Sequence, residues 1–260
     1  MMNLSDVRCF LLDMDGTFYL GGQLIDGSLE FIDKVLATGR DFMFLTNNSS
    51  HNAEFYVKKL AGMGLSIDRR RVMTSGEATC EQLKALYPGK RVFLLGNAVL
   101  RAEFDEAGII VDDAHPDMVV IGFDTTLTYD RLWRACDLVR AGLPYVATHP
   151  DFNCPTETGF MPDIGAIMAF IEASTGRRPD LVVGKPNTGI VEAVLRRTGL
   201  EPRQLAMVGD RLYTDIETGL RSGMLSILVM SGETTEAMLA ESPTKPDMKF
   251  GRLSDMIPLL

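Results

Sequence analysis

Short apolar runs alternate with helix-period stretches along nearly the whole chain. Cys9-Phe10-Leu11-Leu12 is unbroken and stops at Asp13, which predicts a buried strand running into an acidic loop. Leu29, Ile32, Val35 and Leu36 then fall on one helical face, and Gly39 suits a helix stop. Phe42-Met43-Phe44-Leu45 predicts a second strand, ending at Thr46-Asn47-Asn48. A helix carrying Phe55, Val57, Leu60 and Met63 on its apolar face, closed by Gly64, is expected next. Further strands are predicted at Val92–Leu95, Met118–Ile121, Tyr145–Ala147, Leu181–Val183, Leu205–Val208 and Ser226–Val229. Helical stretches lie at Ala98–Ala107, Asp130–Ala141 and Ile164–Ala173. Strand and helix in alternation imply an α/β fold with a parallel sheet covered on both faces. Thr74–Thr79 and Thr175–Pro179 read as candidate linkers. Phe152 to Asp163, with Pro155, Gly159 and Pro162, reads as a loop.

Composition narrows the class. The 260 residues are 46% hydrophobic and 23% charged, a globular balance, with ample length for a sizeable core. A formal net charge of −9 disfavours nucleic acid and anionic lipid as partners. Four cysteines, Cys9, Cys80, Cys136 and Cys154, show no zinc-type spacing. With Cys9 inside an apolar run, they suit reduced thiols. Nothing in the sequence approaches the length of a membrane span or resembles a secretory leader, so a cytoplasmic location is expected. His51, His115 and His149 lack metal-ligand spacing, and the 15 methionines read as core filler.

Polar clusters sit just after the predicted strands: Asp13–Thr17, Thr46–Asn48, Gly184-Lys185-Pro186 and Gly209-Asp210 to Asp215. Ligands of open parallel sheets bind outside the carboxyl ends of strands, so these four loops can converge. Asp13 is placed to act as a nucleophile, and Asp15 to give and take a proton. Gly16 lets the backbone turn and brings amides near a phosphoryl oxygen. Two carboxylates beside a phosphate need a cation, and Asp210 completes an all-oxygen set that suits Mg²⁺. Lys185 and Thr46 can bind the remaining phosphoryl oxygens.

Asp13-Met14-Asp15-Gly16-Thr17, Leu45-Thr46-Asn47-Asn48, Gly184-Lys185-Pro186 and Gly209-Asp210-Arg211-Leu212-Tyr213-Thr214-Asp215 resemble, in order, the four motifs of the haloacid dehalogenase superfamily. About 139 positions separate Thr46 from Lys185. That interval, with Thr148-His149-Pro150-Asp151 and Pro162-Asp163-Ile164-Gly165-Ala166, is similar to the nitrophenyl phosphatase-like and sugar phosphatase-like branch. The resemblance implies a Rossmann-like parallel-sheet core, residues 1–79 and 176–260, with an inserted α/β cap domain at 80–175. It implies Asp13 as the nucleophile that becomes an aspartyl-phosphate, and Asp15 as acid/base and carbonyl metal ligand. Thr46 and Asn47 match phosphate donors, Lys185 the charge-balancing lysine, and Asp210 a Mg²⁺ ligand. Asp215 matches a supporting acid. The implied activity is a Mg²⁺-dependent phosphatase of small phosphorylated metabolites such as sugar phosphates or nucleotide monophosphates. Caps of related proteins often supply a dimer contact, which leaves a homodimer open.

Each residue also has a plainer role. Thr46 and Asn47 can start a helix, Asp215 can complement a helix N-terminus, and Asp151 or Asp163 can cap the following helix. The loop from Phe152 can be a surface connection or can select the substrate. Asp15 argues against dehalogenation, which needs no acid, and against transport ATPases, which carry Thr there. A receiver-type signalling domain would be far shorter. A phospho-signalling or ligand-binding protein on the same fold, with little turnover, is the main alternative, and phosphonate hydrolysis through a cap lysine a minor one.

Overall fold

A computed structural model describes residues 3–156 and 158–260, and Glu157 of the expected Phe152–Asp163 loop lies outside the described residues. The chain forms two compact units. One comprises Met1–Thr46, Glu54–Met73 and Lys185–Leu260, the other Asn47–Ala53 and Thr74–Gly184. Residues 80–175 all fall in the second unit.

The first unit is built on a six-stranded sheet. Its order is Met248–Phe250, Leu225–Val229, Leu205–Gly209, Cys9–Leu12, Asp41–Thr46, Val72–Thr74. Cys9–Leu12 lies at the centre, parallel to both neighbours, with Leu12 opposite Val208 and Phe44. Every residue of Cys9–Leu12 is buried, because helices cover both faces, and this explains an unbroken apolar run. The helix Ser28–Ala37 buries Phe31, Ile32 and Val35. Phe31 meets Phe10 edge-on at 5.5 Å, and burying each such ring stabilises the fold by roughly 1.5–3 kcal/mol. Gly39, at φ 75°, ends the segment as expected.

Counted within this unit, the strands run 3-2-1-4-5-6 across the sheet. The order reverses between Cys9–Leu12 and Leu205–Gly209, and a crevice opens there at the carboxyl ends. Asp13 and Asp210 are the first residues past those two strands.

The second unit holds a four-stranded sheet, Leu181–Val182, Tyr145–Ala147, Met118–Ile121 and Val92–Leu95, all parallel. Phe93, Leu95, Val119, Ile121 and Tyr145 pack against Ala135, Val139, Ile164 and Ile171 of the helices. Thr74, Asn97, Thr128 and Asp163 cap four helices through their side chains, each contributing about 1 kcal/mol.

Several local expectations need correction. Thr74–Thr79 is no linker: Thr74 is an N-cap and Ser75–Leu86 is helical, although the chain does pass between units at Met73–Thr74. Thr175–Pro179 is a connection inside the second unit, tied down by Arg177 to the Val139 and Leu143 carbonyls. Asn153–Thr156 and Gly159–Pro162 form an antiparallel pair rather than a plain loop. The helix Ala53–Gly62 buries Ala53, Tyr56 and Leu60 but leaves Phe55 40% exposed, so its inward face is rotated from the expected one. Among the described residues, no helix is long and apolar enough to cross a membrane. All four cysteines are free thiols, and burial pushes the Cys9 thiol up to about 12, with Asp41 adding to the rise.

Candidate active site

The first unit brings four of the expected residues together. The Asp13 amide donates to the Val208 carbonyl at 2.9 Å, which continues the strand pairing and fixes Asp13 at the crevice. Lys185 is 3% exposed and donates to Asp13 Oδ1 (2.5 Å), Asp215 Oδ1 (2.7 Å) and the Leu45 carbonyl (3.4 Å). Asp215 Oδ2 accepts the Arg211 amide at 3.2 Å. This places Asp215, fully buried on a π-helical turn Leu212–Ile216, behind the lysine.

Asp210 is 2% exposed. Its Oδ2 accepts the Glu233 amide at 2.7 Å, and its Oδ1 accepts the Thr17 hydroxyl at 3.4 Å. The Thr234 hydroxyl donates to its backbone carbonyl at 2.5 Å. Gly16 and Gly232 press against the Asp210 carboxylate so closely that a Cβ on either would collide with it, and Gly16 has φ 87°. Ser231 donates to the Gly16 carbonyl at 2.7 Å.

Asp15 stands apart. Its side chain is exposed, with the Gly21 amide 3.5 Å from Oδ1. Lys59 lies 3.9 Å above the Tyr19 ring, and the nearby Asp15 charge opposes the fall that burial imposes on this lysine's pKa. Thr46 ends its strand nearly buried. Asn47 belongs to the second unit, where its amide donates to both Asp151 oxygens at 3.1 Å. Asp163 caps its helix through the Ile164 amide.

Charge in the crevice is unbalanced. Burial pushes the Asp13 carboxyl up to about 7; Lys185 opposes the rise, while Asp215 and Asp210 add to it. Burial also pushes Asp210 up to about 6, again with help from Asp215. Burial by itself would weaken proton binding by Lys185, but Asp13 and Asp215 reverse this and hold it above the ordinary lysine range. Asp13, Asp210 and Asp215 each offer a carboxylate oxygen within 4.8 Å of the others. Three carboxylates facing one ammonium, all hard oxygen donors, fit a divalent cation such as Mg²⁺.

Pattern reading placed Thr17 in the first motif without a role, and passed over Lys59 and the loop 231–235. The loop had one available signal: it follows the apolar strand Leu225–Val229, as the other site loops follow theirs.

A family model described as haloacid dehalogenase-like hydrolase matches residues 10–110, and a second model of that hydrolase type matches residues 182–256. The chain is 36% identical to the acid sugar phosphatase of Staphylococcus aureus (strain MRSA252), over 98% of both chains. A 4-nitrophenylphosphatase structure from Thermotoga maritima superposes with a TM-score of 0.95 at 49% identity, over 98% of both chains. The p-nitrophenyl phosphatase structure from Archaeoglobus fulgidus gives 0.92 at 30% identity, covering 98% of this chain and all of the other. With Asp13, Lys185 and Asp210 gathered at the switch point of the sheet, the chain belongs to the haloacid dehalogenase-like hydrolases, as one of their phosphatases.

Proposed function

We propose that the enzyme hydrolyses small phosphorylated metabolites, sugar phosphates among them, through an aspartyl-phosphate and with Mg²⁺. The carrying observation is the Lys185 ammonium bound between Asp13 and Asp215 beside Asp210. An Asp13 oxygen attacks phosphorus in line while the ester P–O bond breaks. Asp15, whose side chain is exposed, gives its proton to the departing alkoxide. Asp15 then takes a proton from water as the water oxygen bonds to phosphorus. The P–O bond to Asp13 breaks, inorganic phosphate leaves, and the Asp13 carboxylate returns.

Lys185 holds the Asp13 carboxylate in place for this attack, and Asp215 holds Lys185. The Thr46 hydroxyl and the Asn47 backbone amide donate to phosphoryl oxygens, where charge grows in the transition state. Asp13 and Asp210, with the Asp15 carbonyl, would hold the magnesium ion, whose positive charge offsets the phosphoryl oxygens. The second unit, taking in residues 80–175, acts as the cap that chooses the substrate. Homology to an acid sugar phosphatase along almost the whole chain supports this choice of substrate class.

Phosphate release from nitrophenyl phosphate tests the reading. Turnover is expected with Mg²⁺, loss with EDTA, and loss of at least about 10³-fold in Asp13→Asn, the scale on which loss of a nucleophile acts. Undiminished turnover by Asp13→Asn refutes the covalent mechanism.

A further inference from the structure

Four residues, Asn47 to Ser50, run on directly from Thr46 and are held by the second unit at several points. The Ser75 hydroxyl donates to the Asn47 carbonyl, and the Asn47 amide donates to Asp151. The Phe123 amide donates to Ser49 Oγ at 2.9 Å, and Ser49 Oγ lies 2.9 Å from Thr148 Oγ1. Asn97 Nδ2 donates to the Ser50 carbonyl at 2.9 Å. Asn97, Phe123 and Thr148 each lie just past the carboxyl end of a strand, Val92–Leu95, Met118–Ile121 and Tyr145–Ala147 respectively.

Donor and acceptor capacities give this network a direction. Asp163 Oδ1 accepts the Ile164 amide at 2.7 Å and lies 3.1 Å from His149 Nε2. A carboxylate can only accept, so Nε2 carries a hydrogen; where that is the ring's one hydrogen, Nδ1 is an acceptor. The Ser75 hydrogen is spent on Asn47, so the Thr148 hydroxyl, 3.2 Å away, donates to Nδ1. Thr148 then has no hydrogen left, and Ser49 donates to it. Ser49, Thr148, His149 and Asp163 are at most 5% exposed, so water does not compete for these bonds.

We propose that Ser49 is a positioning residue for phosphoryl transfer. A one-way hydrogen-bond chain, from the Phe123 amide through Ser49, Thr148 and His149 to Asp163, fixes the backbone that continues from Thr46. The inference rests on the phosphatase reading and adds to it a source of precision. Consecutive Cα atoms are about 3.8 Å apart, so a shift at Ser49 reaches Thr46 through only three peptide units. Misplacing a phosphate donor by about 1 Å can cost about 10²-fold in rate.

The experiment compares Ser49→Ala, Thr148→Val, the double variant and Thr148→Ser on nitrophenyl phosphate, well below their melting temperatures. The two singles are expected to lose about 10- to 100-fold in kcat, with KM changed far less. The double variant should be no worse than the weaker single, because both cut one chain. Thr148→Ser, which keeps the hydroxyl, should recover most of kcat. A merely structural role would lower Tm and leave kcat unmoved, and kcat within about twofold of wild type in both singles overturns the proposal. Should Ser49→Ala fail to fold, the near-isosteric Thr148→Val decides the matter by the same kcat criterion. Nitrogen-15 NMR of the wild-type protein, with the His149 signal identified by its loss in His149→Gln, is expected to show hydrogen on Nε2 alone. Hydrogen on Nδ1 would reverse the chain and overturn the proposal by itself. Failure of the phosphatase reading would appear separately, as a wild-type enzyme that releases no phosphate.

Discussion

Lys185 is one ammonium set among three carboxylates, and that imbalance has a measurable consequence. Asp13 and Asp210 bind protons more tightly in the folded protein than the ordinary carboxylate value near 3.8. Their contribution to stability is therefore complete below about pH 3.8 and fades as pH rises through about 6 and 7. In EDTA, the melting temperature is expected to fall between pH 5 and pH 8 by more than it does with saturating Mg²⁺. A denaturation series at several pH values, with and without the metal, checks this. Equal slopes would show that no cation relieves the crevice. At this scale the sequence was informative where chemistry follows a strand: Asp13 and Asp210 each end an apolar run. It was silent on the partner of Thr17, whose hydroxyl reaches Asp210 193 residues away, because nothing local in a threonine marks its distant partner.

Elements show the same contrast. The loop Ser231–Thr235 supports Asp210 with the Glu233 amide and the Thr234 hydroxyl. Its residues are ordinary turn formers, so composition gave no reason to separate it from any other turn. Thr234→Val removes the bond to the Asp210 carbonyl and keeps the shape. It is expected to raise the Mg²⁺ concentration for half-maximal activity by about 10- to 100-fold, the scale on which supporting bonds act in metal sites. A Mg²⁺ titration of kcat that leaves this concentration unchanged would count against the loop's role. The pair Asn153–Thr156 and Gly159–Pro162 escaped notice because neither strand has a fully buried residue. Without a buried face, no alternation of apolar and polar positions is imposed on the sequence. Met248–Phe250 was missed for its shortness, three residues at the sheet edge.

At the scale of the whole molecule, periodicity foretold a parallel α/β sheet, the family resemblance a second α/β unit, and neither the order of the strands. Apolar runs state that a strand is buried, not which neighbour it takes. The reversal between Cys9–Leu12 and Leu205–Gly209 had to come from register. If the second unit of 118 residues, Asn47–Ala53 with Thr74–Gly184, is the proposed cap, compact substrates are favoured. Sugar phosphates are expected to turn over with kcat/KM at least about 10²-fold above an intact phosphoprotein, a ratio of about 2.7 kcal/mol in transition-state binding. Parallel phosphate-release assays on both decide it, and efficient dephosphorylation of the protein would sink the expectation.

The central strand also sets an order of manufacture. Cys9–Leu12 leaves the ribosome long before one of its two partners, Leu205–Gly209. At about 5–20 residues per second, the wait lasts roughly 10–40 s. During that time the continuous stretch Thr74–Gly184 emerges whole and can close its own sheet. The crevice, which needs Asp13, Lys185 and Asp210 together, cannot form before Asp210 has been made, and a nascent chain carries no active site until then.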